Sequence, residues 1–257
     1  MGLREEMVSR PGAEHPIAKY AGLSALVVLF VFLSLILPVK ACFAGECKEV
    51  VVTAMALTES TKGSVEQQWP ASSQLIVVRN DGPLPHISTL HALEKKDGTW
   101  TPVFGPVRVM AGPNGFAEVD GKREGDGRTP VGIYPLGLVF GYPSSVVSAM
   151  PYRRMTLQDI WVDDPDSPDY NHLKKRVETT ARSFENMVLP DDRYKYGIVI
   201  EYNTKPVIPG RGSAIFLHIW KNDTTPTAGC VAMSEENILK LINWLDPAKK
   251  PLIVIEK

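Results

Sequence analysis

The sequence predicts a mainly β domain with few helices, arranged as a sandwich or a partly open barrel. Two observations lead to this fold class. Short runs of strand length recur between clusters of turn residues, and one clear amphipathic helix pattern occurs near the C-terminus. The chain has 257 residues, 44% of them hydrophobic, which is enough to bury a sizeable core, and its three cysteines are too few for a disulfide-rich scaffold.

The N-terminal residues 1–44 are predicted to be a signal peptide or a membrane anchor. Within them, residues 21–38 form an uncharged apolar run, preceded by basic residues, whose length lies between a long signal-peptide core and a short spanning helix. Small residues around Cys42–Ala44, before Gly45, fit a cleavage site, so we favour cleavage over an uncleaved anchor; a lipid-modified Cys42 is a third alternative. In each case the remainder is exported to the periplasm or cell envelope, and an uncleaved segment would contact the membrane.

The elements of the folded part follow from local patterns. Residues 45–73 are polar and weakly patterned, which predicts a linker, and folding is expected over 74–257. The turn dipeptide Asp97-Gly98 indicates a hairpin. A helix is expected after Ser234, a good N-cap, and before Pro247. Strands are predicted at residues 75–78, 91–94, 100–103, 107–110, 131–136, 196–202, 213–220 and 252–255.

The charge balance excludes one class of partner. The chain carries 28 basic and 29 acidic residues, a formal net charge of −1, and no long run of like charge. Binding to nucleic acid needs a basic surface, so no nucleic-acid partner is expected.

Candidate chemistry lies between the strand at 213–220 and the C-terminal helix. His218 ends an apolar strand, and Cys230 follows Gly229 twelve residues later. A thiol needs a base to become an effective nucleophile, and a connection of this length can return to the same rim of the sheet, with Gly229 allowing the backbone to approach a substrate carbonyl. Spacing alone also fits a buried cysteine beside an unrelated histidine. A zinc site is not favoured, because two ligands do not complete a set, and the sequence indicates no metal and no cofactor.

These residues also resemble a known family. Ile215–His218 and Pro226–Met233 are similar to the active-site region of the YkuD-type L,D-transpeptidases, in the branch with a PTAGC form, and Thr129–Tyr134 resembles that family's TPxGxF segment. The resemblance runs from about Gln74 to Ile255 and implies a β-sandwich catalytic domain that acts on peptidoglycan stem peptides. It also implies Cys230 as nucleophile, His218 as general base and acid, and backbone N–H groups near Gly229 and Cys230 as oxyanion donors. Three further stretches resemble the same branch: Glu124–Arg128, Trp161–Pro165 and Gly212–Ala214.

Departures from the family pattern leave alternatives open. Ala228 and Ala232 stand where many members have a histidine and an arginine. The expected reaction is transpeptidation through a thioester; an L,D-carboxypeptidase using the same site and a catalytically silent wall-binding module are the alternatives. A papain-like peptidase is disfavoured because there the cysteine precedes the histidine.

Secondary expectations concern substrate contacts and thiol chemistry. Cys230 is expected to remain unpaired with Cys42 or Cys47 and to react with alkylating reagents at a lower pH than a free cysteine. Asp126 and Arg128 are expected to fix a turn by local hydrogen bonds. The candidate substrate-binding residues are Arg211, Trp220, Tyr202 and Thr227.

Overall fold

The computed structural model describes residues 39–43, 46–50 and 57–257. The chain divides into two units, residues 1–53 and 54–257. In the first unit, strands β1 (Val39–Phe43) and β2 (Glu46–Val50) pair antiparallel. The predicted signal or anchor run at 21–38 lies outside the described residues. Over the part of the chain that is described, no helix has the length and apolar character needed to cross a membrane.

The second unit is built mainly from strands, which confirms the predicted fold class. Its elements are α1 (Glu59–Gln68), β3 (Gln74–Arg79), β4 (Ile87–Lys96), β5 (Thr99–Met110), β6 (Gly132–Gly141), β7 (Tyr152–Arg154), β8 (Asp159–Val162), β9 (Leu173–Lys175), β10 (Phe184–Asn186), β11 (Tyr196–Ile200), β12 (Phe216–Ile219), β13 (Val231–Met233), α2 (Glu235–Trp244) and β14 (Leu252–Glu256). Nine of the strands form one sheet of order β11-β12-β13-β5-β4-β3-β14-β6-β7, and a further pairing of β11 with β6 closes all but the last strand into a barrel-like ring. Closure leaves few strand edges open.

The strand β3 shows why an unbroken apolar run belongs in this fold. Ile76 and Val78 face the main core, while Leu75 and Val77 face a second cluster on the other side. A strand covered on both faces has no need for polar alternation. β14, which pairs parallel with β3 and antiparallel with β6, is covered in the same way and completes the sheet as predicted.

Local signals placed the hairpin and the C-terminal helix correctly. Asp97 and Gly98 both have positive φ (49° and 78°), the conformation that a tight hairpin between β4 and β5 requires. Ser234 Oγ accepts a hydrogen bond from the Asn237 N–H (3.3 Å) and caps α2, whose buried face packs on the main core. The strand expected at 107–110 is the second half of β5, which continues from Thr99.

Part of the segment predicted as linker is helical. The helix α1, capped by Thr58, buries Val65 completely against Leu75, Leu252 and their neighbours. Burial of one valine contributes about 1.5–3 kcal/mol to the docking of this short polar helix. The sequence analysis missed it because Val65 is the one buried side chain in a helix that is otherwise polar.

An insertion between β7 and β11 was also not predicted. It contains a separate three-stranded sheet of order β10-β8-β9. The strands are three or four residues long, too short for a periodic pattern. Trp161 of β8 and Met187 pack with Phe216 and Cys230, so this insertion covers the segment that carries the predicted chemistry.

Candidate active site

The register of two neighbouring strands brings the predicted pair to one cavity. β12 and β13 run parallel, with His218 opposite Ala232. Cys230 directly precedes β13, two positions before Ala232. The side chains of His218 and Cys230 line one cavity of about 200 Å³.

Backbone contacts fix the tautomer of His218. Its Nδ1 lies 2.7 Å from the Ile219 carbonyl oxygen, which can only accept a hydrogen bond. Nδ1 therefore carries the hydrogen, and the Nε2 lone pair is left as the basic site. The Tyr194 ring packs edge-on against the imidazole with centroids 5.2 Å apart, which restricts its rotation.

Burial keeps both groups neutral. His218 is 4% exposed and Cys230 is 6% exposed. Burial lowers the pKa of His218 to about 4 and raises the pKa of Cys230 to about 12. In the free protein the cavity therefore holds a Cys230 thiol and a neutral His218 imidazole, and the pKa of Cys230 is shifted in the direction opposite to the one expected from the sequence.

The sulfur of Cys230 is held by the segment that leads into β12. The thiol donates to the Ala214 carbonyl oxygen (Sγ to O, 3.2 Å), and the Phe216 N–H donates to Sγ (3.3 Å). The second contact persists when the thiol loses its proton, because a thiolate is a better acceptor than a thiol. The Phe216 N–H is therefore a partner for the sulfur in either protonation state, whereas the Ala214 contact needs the thiol hydrogen.

The turn before Cys230 is braced by Thr227. Its hydroxyl donates to the Cys230 carbonyl oxygen (2.7 Å) and accepts from the Gly229 N–H (3.1 Å). Gly229 has φ +148°, and a Cβ there would lie 2.9 Å from the Arg128 carbonyl oxygen, so this position requires glycine. The Gly229 N–H is thus used within the turn, whereas the Cys230 N–H has no hydrogen-bond partner among residues 57–257.

The remaining candidates fall into two places. Trp220 and Thr227 line the cavity of Cys230. Arg211 and Tyr202 line a different cavity, of about 350 Å³, which shares only Lys122 with the first. There Tyr202 donates to the Arg211 carbonyl oxygen (2.5 Å), and the Arg211 guanidinium donates to the Asp120 carbonyl oxygen.

The predicted turn at Asp126 is present and holds a lysine at the junction of the two cavities. The Asp126 carboxylate accepts from Lys122 Nζ (2.7 Å) and from the N–H groups of Arg123 (2.7 Å) and Arg128 (2.9 Å). Burial acts to raise the pKa of Asp126, but these hydrogen bonds outweigh it and the pKa is lowered. Lys122 is 5% exposed, and its buried charge is compensated by the Asp126 carboxylate.

Charged residues of the cavity wall were missed by the sequence analysis. Asp163 and Glu185 come from the insertion, and burial raises the pKa of each. Glu124 accepts from Ser213 Oγ (2.8 Å) and from the Tyr170 hydroxyl. Arg193 enters from a 3₁₀ turn at Asp192–Tyr194. The resemblance of Glu124–Arg128 and Trp161–Pro165 to one family branch was the available signal, but it did not indicate which side chains face the cavity.

No metal site is evident in the described part of the chain, where no group of three or more His, Cys, Asp or Glu side chains is arranged to hold an ion. Cys230 is a free thiol. The side chains of this site offer a thiol, an imidazole, N–H groups and charged groups.

Comparison with known proteins gives one family match. The profile of the YkuD family, the L,D-transpeptidase catalytic domain, matches residues 64–254. No curated protein matches the sequence. Two similar solved structures are both of the helical cell shape determining protein Pgp2 from Campylobacter jejuni, the second a K307A mutant. The first has 16% sequence identity and a TM-score of 0.36, and the match covers 72% of this chain and 48% of that chain. The second has 15% sequence identity and a TM-score of 0.36, and the match covers 80% of this chain and 56% of that chain. This chain thus spans about half the length of those proteins.

Proposed function

This chain belongs to the YkuD family of L,D-transpeptidase catalytic domains, and from that premise we propose that it is an exported L,D-transpeptidase acting on peptidoglycan stem peptides. The observation that carries the proposal is the shared cavity of Cys230 and His218, in which the tautomer leaves Nε2 basic. The family match supports peptidoglycan as the substrate class.

The acylation step follows from this geometry. Cys230 Sγ attacks the carbonyl carbon that follows the diamino acid of a tetrapeptide stem, while His218 Nε2 accepts the thiol proton. The Cys230 N–H donates to the oxyanion that forms. The intermediate collapses by breaking the C–N bond to the terminal D-alanine, whose amine takes the proton from His218, and a thioester on Cys230 remains.

The deacylation step restores the enzyme. The amine of a second stem attacks the thioester carbonyl and gives its proton to His218. The C–S bond breaks, the sulfur recovers the proton, and a new amide joins the two stems. Water in place of the amine gives a shortened stem, which is the carboxypeptidase alternative.

Because Cys230 and His218 are both neutral in the free protein, His218 contributes to the reaction as a general base. Attack is coupled to proton transfer, because Cys230 is not a thiolate beforehand. A positioned general base contributes about 10²–10⁴-fold in rate. The imidazole is suited to this role since burial keeps it unprotonated at neutral pH.

Intact-mass analysis with a tetrapeptide stem tests the proposal. The wild-type protein is expected to gain the mass of the stem less D-alanine, and a joined dimer of stems is expected when a second stem is supplied. Formation of the shortened stem alone would assign the carboxypeptidase reaction. Cys230→Ala is expected to gain no mass. His172→Ala, which alters an exposed histidine away from the cavity, is the control for His218→Ala. Absence of an adduct on the wild-type protein, with stems unprocessed, would favour the silent binding module.

Export is tested separately. A reporter that is active only outside the cytoplasm, fused after Lys257, is expected to be active. Activity of a reporter that works only in the cytoplasm would contradict export.

A further inference from the structure

The side chain of Asn171 uses its full hydrogen-bonding capacity. Its Oδ1 accepts from Trp161 Nε1 (2.8 Å) and from the Ala214 N–H (3.1 Å). Its Nδ2 donates to the carbonyl oxygens of Tyr202 (3.1 Å) and Asn203 (2.8 Å). An amide offers two acceptor sites and two donors, and here all four are occupied in a residue that is 3% exposed. Asn171 therefore joins the insertion to both ends of the loop that connects β11 to β12.

One of those contacts leads directly to the thiol. Ala214 has φ +52°, a left-handed conformation that is unfavourable for a residue with a Cβ and persists only where the surroundings impose it. Its N–H is bound by Asn171, and its carbonyl oxygen accepts from Cys230 Sγ (3.2 Å). A single residue thus connects the amide of Asn171 to the sulfur.

We infer that Asn171 is a positioning residue for the nucleophile: its Oδ1 holds the Ala214 peptide so that the carbonyl of Ala214 fixes Cys230 Sγ in the cavity. The inference rests on the proposed function, which assigns Cys230 as nucleophile. Asn171 does not line the cavity and acts through Ala214.

The chemistry of the amide explains why asparagine suits this position. The peptide N–H of Ala214 requires an acceptor, and the carbonyls of Tyr202 and Asn203 require donors. Aspartate supplies the acceptor but places a charged oxygen against the two carbonyls. Asn171 itself has φ +58°, a conformation that asparagine tolerates better than most residues.

Asn171→Gly and Asn203→Gly form a matched pair of variants. Both asparagines have positive φ, so glycine removes the side chain without adding backbone strain. Asn203 makes three side-chain hydrogen bonds, to the Ile208 N–H and to the carbonyls of Ile208 and Gly212, but none to Ala214. The pair therefore separates loss of the Ala214 contact from general loosening of the loops.

Two readouts test the inference. The first is single-turnover acylation by a tetrapeptide stem as a function of concentration. Asn171→Gly is expected to lower the maximal acylation rate by roughly 10–100-fold with an unchanged half-saturating concentration, because misplacing a reacting atom by about 1 Å costs on that order. Asn203→Gly is expected to stay within about twofold of wild type.

The second readout is the pH dependence of Cys230 alkylation by iodoacetamide. Asn171→Gly is expected to move the profile to lower pH by about one unit or more, since a released thiol becomes better hydrated and approaches ordinary cysteine behaviour. The profile of Asn203→Gly is expected to match the wild type. This measurement needs no substrate, so it decides the inference even if the wild-type protein forms no acyl-enzyme and the proposed function fails.

The inference would be overturned if Asn171→Gly and Asn203→Gly changed acylation and alkylation alike, each only in proportion to its loss of stability in urea titrations. If Asn171→Gly does not fold, Asn171→Asp replaces it, because it retains the acceptor for Ala214 and removes the donors. Asn171→Asp is expected to acylate close to the wild-type rate at reduced stability. A 10-fold or larger loss of acylation by Asn171→Asp, with an unchanged alkylation profile, would instead assign Asn171 to anchoring the insertion.

Discussion

Replacing His218 with asparagine is expected to change how the stability of the protein depends on pH. Burial lowers the pKa of His218 from an ordinary value of 6.5 to about 4 in the folded protein. Between these two values the unfolded chain binds a proton at this position and the folded protein does not. Stability associated with a neutral His218 is therefore fully present above pH 6.5 and is lost as the pH falls toward 4.

The size of the effect follows from the difference in pKa. A shift from 6.5 to about 4 spans 2.5 units, and at 1.36 kcal/mol per unit this corresponds to about 3 kcal/mol of stability. His218 is 4% exposed, so solvent screening reduces this value little. Asparagine has no titrating group, and its side chain can still donate to the Ile219 carbonyl.

Urea unfolding at several pH values between 7.5 and 4 measures the difference. The unfolding free energy of the wild-type protein is expected to fall by about 3 kcal/mol more than that of His218→Asn over this range. Titration of the carboxylates affects both proteins alike and cancels in the comparison. Parallel curves for the two proteins would show that His218 is hydrated enough to be protonated in the folded state, and would refute the neutral resting pair.

Four further predictions concern the nucleophile, its turn and the N-terminal helix. Cys230→Ala is expected to abolish the acyl adduct in intact-mass analysis and His218→Ala to slow its formation by roughly 10²–10⁴-fold; an adduct formed by His218→Ala at the wild-type rate would argue against a coupled pair. Alkylation of wild-type Cys230 by iodoacetamide is expected to rise only above the pH at which free cysteine reacts, since burial raises its pKa to about 12; a profile at or below that of free cysteine would contradict this. Gly229→Ala is expected to destabilise the protein by about 1–3 kcal/mol in urea unfolding, because φ is +148° and a carbonyl oxygen lies 2.9 Å from the new Cβ; an unchanged midpoint would show that the turn relaxes. Val65→Ala is expected to lower the free energy of unfolding by roughly 1–3 kcal/mol, because Val65 is fully buried. Gly63→Ala, whose new Cβ meets no neighbour within 4 Å, is expected to raise it by at most about 1 kcal/mol. An unchanged free energy of unfolding for Val65→Ala would mean that α1 contributes nothing to stability.

Sequence patterns predicted correctly those elements whose geometry depends on neighbouring residues. Ser234 and Pro247 bound the helix α2, and Asp97-Gly98 sets the hairpin, because capping and turn geometry depend on adjacent residues. The strand β13 was not predicted: three residues show no period, and its place between β12 and β5 follows from long-range pairing. Closure of the barrel by β11 and β6 is invisible in the sequence for the same reason.

In the candidate site, too, features that depend on local sequence were predicted, and features that depend on long-range packing were not. His218 and Cys230 were identified from their positions beside strand ends and from family resemblance, and the structure brings them to one cavity. The pKa of Cys230 is raised, opposite to the direction expected, because it depends on burial by Trp161, Met187 and Tyr194 of the insertion, which are remote in sequence. The position of Arg211 in a second cavity depends likewise on a loop path that no motif encodes.

The burial of Cys230 and the contact of its thiol with the Ala214 carbonyl bear on how the protein withstands oxidation. Peroxides and disulfides react with thiolates, and a buried cysteine whose proton is held by a carbonyl presents almost none at neutral pH. In the exported compartment proposed for this chain, a lone exposed thiolate would be consumed by mixed disulfides, and no second cysteine among residues 57–257 is available to rescue it. Burial raises the pKa of Cys230 and the Ala214 carbonyl accepts the thiol hydrogen, so the proposed nucleophile stays in its less reactive protonated form in the free protein.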